Sequence, residues 1–349
     1  MRSRVASIAL VVALGPALSP PRIVANVETP EFPEITAQSW LLYDADAGVT
    51  VASHNADEPR PMASVTKMMT ALVVVENAGL DETVRVSATA EAVGEAEIGL
   101  FVGELWTVAD LLAAVMVRSG NDAAMALAEH VGGDIKGFAA MMNAKAEQLG
   151  LQNSHFVNPH GLDAAEHYTS ATDLRMIAEA VLKNPYLSRL ARTREVEFKP
   201  NPRGVARVAV STNKLLGVYP GVVGLKTGFT SKAGRVLVSV LEHNDRTLIA
   251  VVMRSADHFA DSRELLDYGV RTLTLRDRLI APLLAEEGGG AVGPEPLPLW
   301  TDLETARLSL VADVPAGEWA TTVFRATDLG QAVEAWLRAR TPITLGGTR

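Results

Sequence analysis

Apolar residues recur along the chain in two periods, and the two occupy separate stretches. Residues 39–53 read as a β-hairpin, with Trp40, Leu41, Leu42 and Tyr43 before a polar turn at 44–48 and Val49, Thr50 and Val51 after it. Residues 64–79 change to helical spacing and stop at Gly79. Thr107-Val108-Ala109-Asp110 is a candidate capping box that opens a helix running to residue 118. A third helix begins near Asn121, and a fourth covers 134–149 before Gly150. Residues 235–241 and 247–253 are β-rich and joined by a polar link, a second hairpin, and 259–275 return to helical spacing. Strands at both ends with helices between them predict an α/β sandwich in which the N-terminal hairpin joins the C-terminal strands.

The flanks differ from this body. Arg2 and Arg4 precede an apolar run over 5–14, small residues around Ala17 and a Pro-rich stretch at 19–21. That is the layout of a secretory signal, with cleavage after either Ala17 or Ala25, so residues 1–25 are expected to direct export to the periplasm or extracytoplasmic envelope. The run falls short of the ~20 residues that span a bilayer. A Gly- and Pro-rich linker over 277–298 closes the main domain, 30–276. Beyond it, 299–349 read as a small C-terminal module with strand-like runs at 307–311 and 321–325 and a short helix at 331–340. The stripe of Val333, Trp336, Leu337 and Arg340 fits a weak membrane contact or, more commonly, packing against the module's own strands.

Composition narrows the chemistry. The 349 residues carry 41 acidic and 32 basic side chains, a formal charge of −9, which argues against a nucleic-acid partner. A hydrophobic share of 48% supports a sizeable core. The chain has no cysteine, which excludes disulfides, thiolate metal sites and a cysteine nucleophile.

Three short motifs remain as candidate chemistry. In Ser64-Val65-Thr66-Lys67, positions i and i+3 share a helix face, so the lysine can reach the serine hydroxyl and, if neutral, take its proton. A helix start adds backbone N–H groups able to hold an oxyanion. About one S-x-x-K arises by chance in a chain this long, and a second, Ser211-Thr212-Asn213-Lys214, reads as a loop. Ser119-Gly120-Asn121 reads alone as a helix C-cap followed by an Asn N-cap. Its functional reading places the Ser119 hydroxyl between two lysines and the Asn121 amide against Lys67 or a substrate carbonyl. Lys226-Thr227-Gly228 has a chance expectation of only about 0.06 per chain. Its lysine and threonine can grip a carboxylate, and its glycine leaves room for a substrate backbone. The three occur in the order that marks penicillin-interacting serine enzymes.

On these residues the chain resembles the low-molecular-mass D-alanyl-D-alanine carboxypeptidases, the penicillin-binding proteins of peptidase family S11. Further matching stretches are Met62-Ala63, Met68-Met69-Thr70-Ala71, Asp122-Ala123-Ala124, Asn158-Pro159-His160-Gly161-Leu162-Asp163 and Ala233-Gly234, and the resemblance covers about 36–275. It implies an antiparallel sheet sandwiched with helices, as in β-lactamases, and no cofactor or metal. It implies Ser64 as acyl-enzyme nucleophile, Lys67 as its base, and Ser119 and Asn121 as the second motif. Lys226 and Thr227 would hold the terminal carboxylate of a peptidoglycan stem peptide ending in D-Ala-D-Ala, with Gly228 beside them. The N–H groups of Ser64 and Phe229 would form the oxyanion hole, and β-lactams would inhibit. A lysine ordinarily loses its proton near pH 10.4, so being half-neutral at pH 7 costs roughly 4.6 kcal/mol. The chain departs from the family where an arginine usually precedes the phenylalanine leading into the final helix. Here the pair is His258-Phe259, with Arg254 and Arg263 as nearby substitutes, and activity is expected to fall above the titration range of His258.

Three competing readings follow. A class A β-lactamase needs a deacylating glutamate, and the only formal E-x-x-x-N match before the third motif, Glu197 to Asn201, lies in a strand-like run. D,D-endopeptidase action uses the same chemistry. A zinc peptidase would need His155, His160, His167 and Asp163 as ligands, but they lack an i, i+4 pair and read as a polar loop.

Overall fold

The computed structural model describes residues 30–279 and the backbone of 7–11, 22–28 and 321–324. It divides into two compact units, Glu34–Asp267 and a second made of Met1–Pro33 with Tyr268–Arg349. In the second unit β1 (Ser7–Val11) pairs antiparallel with β2 (Arg22–Glu28), and a further strand, Thr321–Phe324, runs parallel to β2. Of the expected export segment only the backbone of 7–11 and 22–25 is described. The linker from residue 280, the run at 307–311 and the helix at 331–340 lie outside the described residues.

The larger unit is built on one sheet. The first hairpin is β3 (Ser39–Asp44) and β4 (Val49–His54). Helix α1 (Thr66–Asn77) follows, then β5 (Thr83–Arg85) and α2 (Ala88–Glu91). Next come β6 (Leu105–Thr107), α3 (Val108–Ala113), α4 (Asn121–Gly132) and α5 (Ile135–Leu149). Two helices that the sequence pattern had not singled out, α6 (Ala171–Lys183) and α7 (Pro185–Ala191), precede the hairpin β7 (Glu195–Phe198) and β8 (Arg207–Val210). A meander of β9 (Val222–Thr230), β10 (Gly234–His243) and β11 (Arg246–Ser255) leads into α8 (His258–Leu279).

The sheet order is β4-β3-β11-β10-β9, antiparallel throughout. Val251 of β11 pairs with Leu41 of β3, so the two ends of the body close one sheet as the hydrophobic pattern predicted. Both faces of β10 are covered, with Val236, Val238 and Val240 on one and Leu237, Ser239 and Leu241 on the other, all essentially inaccessible. That is why its pattern is a continuous apolar run and not an alternation.

Helix α1 is apolar nearly all round and runs through the core, with Met68, Met69, Ala71 and Val74 fully buried. Each buried Met or Val side chain contributes roughly 1.5–3 kcal/mol by leaving water. Helix α3 begins at an N-cap where the Thr107 hydroxyl accepts from Asp110 N–H, and it runs on into one π-helical turn, Ala114–Arg118. That turn ends at Ser119, whose left-handed backbone (φ +70°) caps it while Gly120 N–H donates to Ala114 O.

Asp122, buried at the start of α4, organises the segment before it. Its carboxylate accepts from the backbone N–H groups of Ile98, Gly99 and Leu100. Asp122→Asn retains the volume but leaves one acceptor oxygen facing these donors. It should lower stability by about 2 kcal/mol, read from the urea unfolding midpoint.

Candidate active site

Ser64 lies in a single 3-10 turn, Ala63–Val65, that precedes α1, so the nucleophile motif sits at a helix start as its spacing required. The residue before it, Ala63, has left-handed backbone (φ +51°), a conformation that costs a non-glycine residue of order 1–3 kcal/mol and marks functional sites. Lys67 is fully buried one turn on. Its Nζ lies 3.1 Å from Ser64 Oγ, 2.7 Å from Asn121 Oδ1 and 2.5 Å from His160 O.

This valence decides the chemistry. A neutral amine has two N–H donors and one lone pair. The Asn121 and His160 oxygens can only accept, so they take both donors and leave the lone pair facing the Ser64 hydroxyl. The amide orientation is fixed because Asn121 Nδ2 donates to Gly94 O at 2.9 Å. Asn121 is the first residue of α4 and makes no cap bond, so its amide serves the lysine and the cap reading fails for it. For Ser119 the cap reading holds, and the left-handed cap turns its hydroxyl towards Lys226, whose Nζ donates to it at 2.9 Å.

Burial, reinforced by the charge of Lys226, holds the Lys67 amine well below the usual lysine range. Burial also lowers Lys226 from 10.5 to about 7. Lys226 lies in the middle of β9, deeper in the strand than the pattern indicated, at the edge of the sheet. Thr227 shares a 2.6 Å hydroxyl contact with Thr212. Gly228 packs on the nucleophile turn, where a Cβ would lie 3.0 Å from Ser64 N and 3.2 Å from Met62 O, so a side chain would prise β9 off the turn. Phe229 is exposed at the strand's outer end.

The second S-x-x-K is a loop, as expected, and its Lys214 lies beside the His258-Phe259 pair, with Nζ 5.9 Å from the Phe259 ring. Lys214 and Arg235 both act electrostatically on His258, and burial is the main cause that pushes the His258 pKa down. Arg235 pairs with Phe229 across β9 and β10 and thereby shares a sheet face with Thr227, a signal available once register is known. The cations beside His258 therefore include Lys214 and Arg235, whereas Arg254, named from the sequence, donates to Lys232 O.

The histidine-rich loop is occupied with hydrogen bonds. His160 Nδ1 accepts from Leu162 N–H, His155 Nδ1 contacts Glu166 O, and Asp163 accepts from Thr230 and Lys232. Glu197 is exposed on β7 opposite Val208, and Asn201 Oδ1 accepts from Arg203 and Val205 N–H in its own turn.

A half-buried serine, a buried amine against it, and a second amine behind an edge strand define a serine acyl-transfer enzyme of the penicillin-interacting type. Residues 26–257 match the peptidase S11 family, D-alanyl-D-alanine carboxypeptidase. The chain is 33% identical over 265 residues to the D-alanyl-D-alanine carboxypeptidase DacF of Bacillus subtilis, covering 72% of this chain and 68% of that one. It is 34% identical over 270 residues to DacC of Escherichia coli, covering 72% and 65%. The Streptomyces K15 DD-transpeptidase superposes with a TM-score of 0.65 at 31% identity, over 69% of this chain and 99% of that one. The chain belongs to the D-alanyl-D-alanine carboxypeptidase family of serine peptidases, and the expected sandwich fold is borne out. It spans about two thirds of the length of the curated relatives.

A pH profile tests the two amines. Penicillin acylation should rise with pH as Lys67 loses its proton, at a pH well below the usual lysine range, and fall as Lys226 loses its charge through about 7. Lys226→Arg keeps the cation at all working pH values, so the falling limb should disappear from kcat/KM. Its persistence would remove Lys226 as the source.

Proposed function

We propose that the protein removes the terminal D-Ala from peptidoglycan stem peptides through a Ser64 acyl-enzyme, outside the cytoplasm. The observation that carries this reading is the buried Lys67 amine held 3.1 Å from Ser64 Oγ while Asn121 Oδ1 and His160 O accept from it. Lys67 takes the Ser64 proton as Oγ attacks the carbonyl carbon of the penultimate D-Ala. The N–H groups of Ser64 and Phe229 hold the resulting oxyanion. The C–N bond then breaks, and the leaving amine of the last D-Ala takes a proton relayed from Lys67 through the Ser119 hydroxyl. Water, deprotonated by Lys67, attacks the ester carbonyl, and Ser64 recovers its proton.

Lys226 and Thr227 bind the terminal carboxylate, with Gly228 admitting the peptide backbone against β9 and Lys214 and Arg235 adding positive potential. β-Lactams present a similar carboxylate and acyl group, and so acylate Ser64. Export rests on the N-terminal layout of charge and apolar residues. Among the described residues, no helix is long and apolar enough to cross a membrane.

Incubation with a penicillin should add one adduct mass to the peptide carrying Ser64, and Ser64→Ala should abolish both the adduct and D-Ala release. An adduct on another residue would overturn the assignment. Glu197→Ala should leave adduct lifetime unchanged, whereas a β-lactamase using Glu197 would accumulate the adduct.

A further inference from the structure

The loop over residues 150–170 carries a buried histidine that the catalytic steps above do not use. His167 is 5% exposed, its ring edge-on to Phe156. Val157 N–H donates to its Nδ1 at 3.1 Å. An accepting Nδ1 carries no proton, so the ring's proton is on Nε2. Nε2 lies 2.9 Å from Thr66 Oγ1, and the Thr66 hydroxyl in turn donates to Ala63 O at 2.8 Å. A hydroxyl has one hydrogen, and Ala63 O can only accept. The chain therefore has a single direction, from Val157 N–H through His167 and Thr66 to the Ala63 carbonyl.

That carbonyl belongs to the peptide whose other end is Ser64 N–H. The peptide unit is planar and trans, so fixing where Ala63 O points fixes where Ser64 N–H points. The need for such a fixture is visible in Ala63 itself, held at φ +51° in a region an alanine does not favour. Gly161 packs on the same carbonyl and hydroxyl, where a Cβ would fall 2.0 Å from Ala63 O and 2.9 Å from Thr66 Oγ1. We propose that His167 is a positioning residue that, through Thr66, aims the Ser64 N–H at the oxyanion. Burial holds the His167 pKa down at about 4, with a smaller contribution from His155, which keeps the ring neutral at working pH.

The inference rests on Ser64 being the nucleophile and its own N–H an oxyanion donor. The test uses the full-length protein and a penicillin as acylating probe. A Gln side chain places its amide N near the position of Nε2, whereas Asn reaches only as far as Nδ1. His167→Gln should acylate within about threefold of the parent, and His167→Asn about 10- to 100-fold more slowly with little change in the probe's KM-type constant. Thr66→Ser should behave like the first and Thr66→Val like the second. Combining Thr66→Val with His167→Asn should add no further loss, because both break one chain.

The acyl-enzyme carbonyl stretch should also move to higher wavenumber in His167→Asn and Thr66→Val, reporting a weaker oxyanion-hole bond, which a general loss of stability would not produce. Equal acylation by the Asn and Gln variants, at either the parental or a reduced rate, would overturn the inference. So would an unshifted stretch, and if the His167 variants fold poorly the Thr66 pair decides alone. An adduct missing from Ser64 in the unaltered protein would instead sink the nucleophile assignment on which the inference stands.

Discussion

A lysine amine kept dry beside a serine hydroxyl is the constraint from which the rest of this molecule follows. The amine must lose its proton, so the protein surrounds it with oxygens that accept and no carboxylate that touches it. Asp122 would be the natural partner, three positions beyond Ser119, but its oxygens are committed to the N–H groups of residues 98–100. The same commitment tethers the segment carrying Gly94 O, which orients Asn121, which orients Lys67. One buried carboxylate thus orders the site through backbone donors without a hydrogen bond to the amine.

The arrangement is costly. Lowering Lys226 from 10.5 to about 7 opposes folding by roughly 5 kcal/mol at neutral pH, comparable with the ~5–15 kcal/mol by which a whole domain is stable. The sign follows from proton binding. Between about pH 7 and 10.5 the unfolded chain holds a proton on this group that the native state has released, so stability rises with pH across that window. The penalty is fully present below about pH 7 and gone above about 10.5. Helix α1, buried on nearly every side, and the doubly covered β10 supply apolar burial that offsets it.

Much of this was legible in the residues. Helical spacing from Ser64, strand patterns at both ends of the body and the order of the three motifs pointed to the sandwich and to the family. What stayed hidden depends on long-range geometry. Asn121 reads locally as a helix cap, and the motif left open whether its amide faced Lys67 or a substrate carbonyl, which only the contact across 54 positions decides. Lys214 looked like loop decoration, and Arg235 gained meaning only from its register opposite Phe229. His167 looked like one of several histidines in a polar loop. Its role lies in which ring nitrogen accepts, and no spacing rule encodes that. Helices α6 and α7 follow that loop and were obscured by it.

The π-helical turn at Ala114–Arg118 has a consequence for how this segment can vary over time. A π turn holds one residue more than the α turn it replaces, and in a helix each residue advances the side-chain direction by about 100°. Loss of a single residue here would remove the turn that ends in the left-handed Ser119 cap, and with it the geometry that turns the Ser119 hydroxyl towards Lys226, whichever side chain had been removed. Four of these five positions are buried and apolar, and they can exchange one aliphatic group for another far more readily than they can change in number. Chain length, more than residue identity, is the inherited quantity in this stretch.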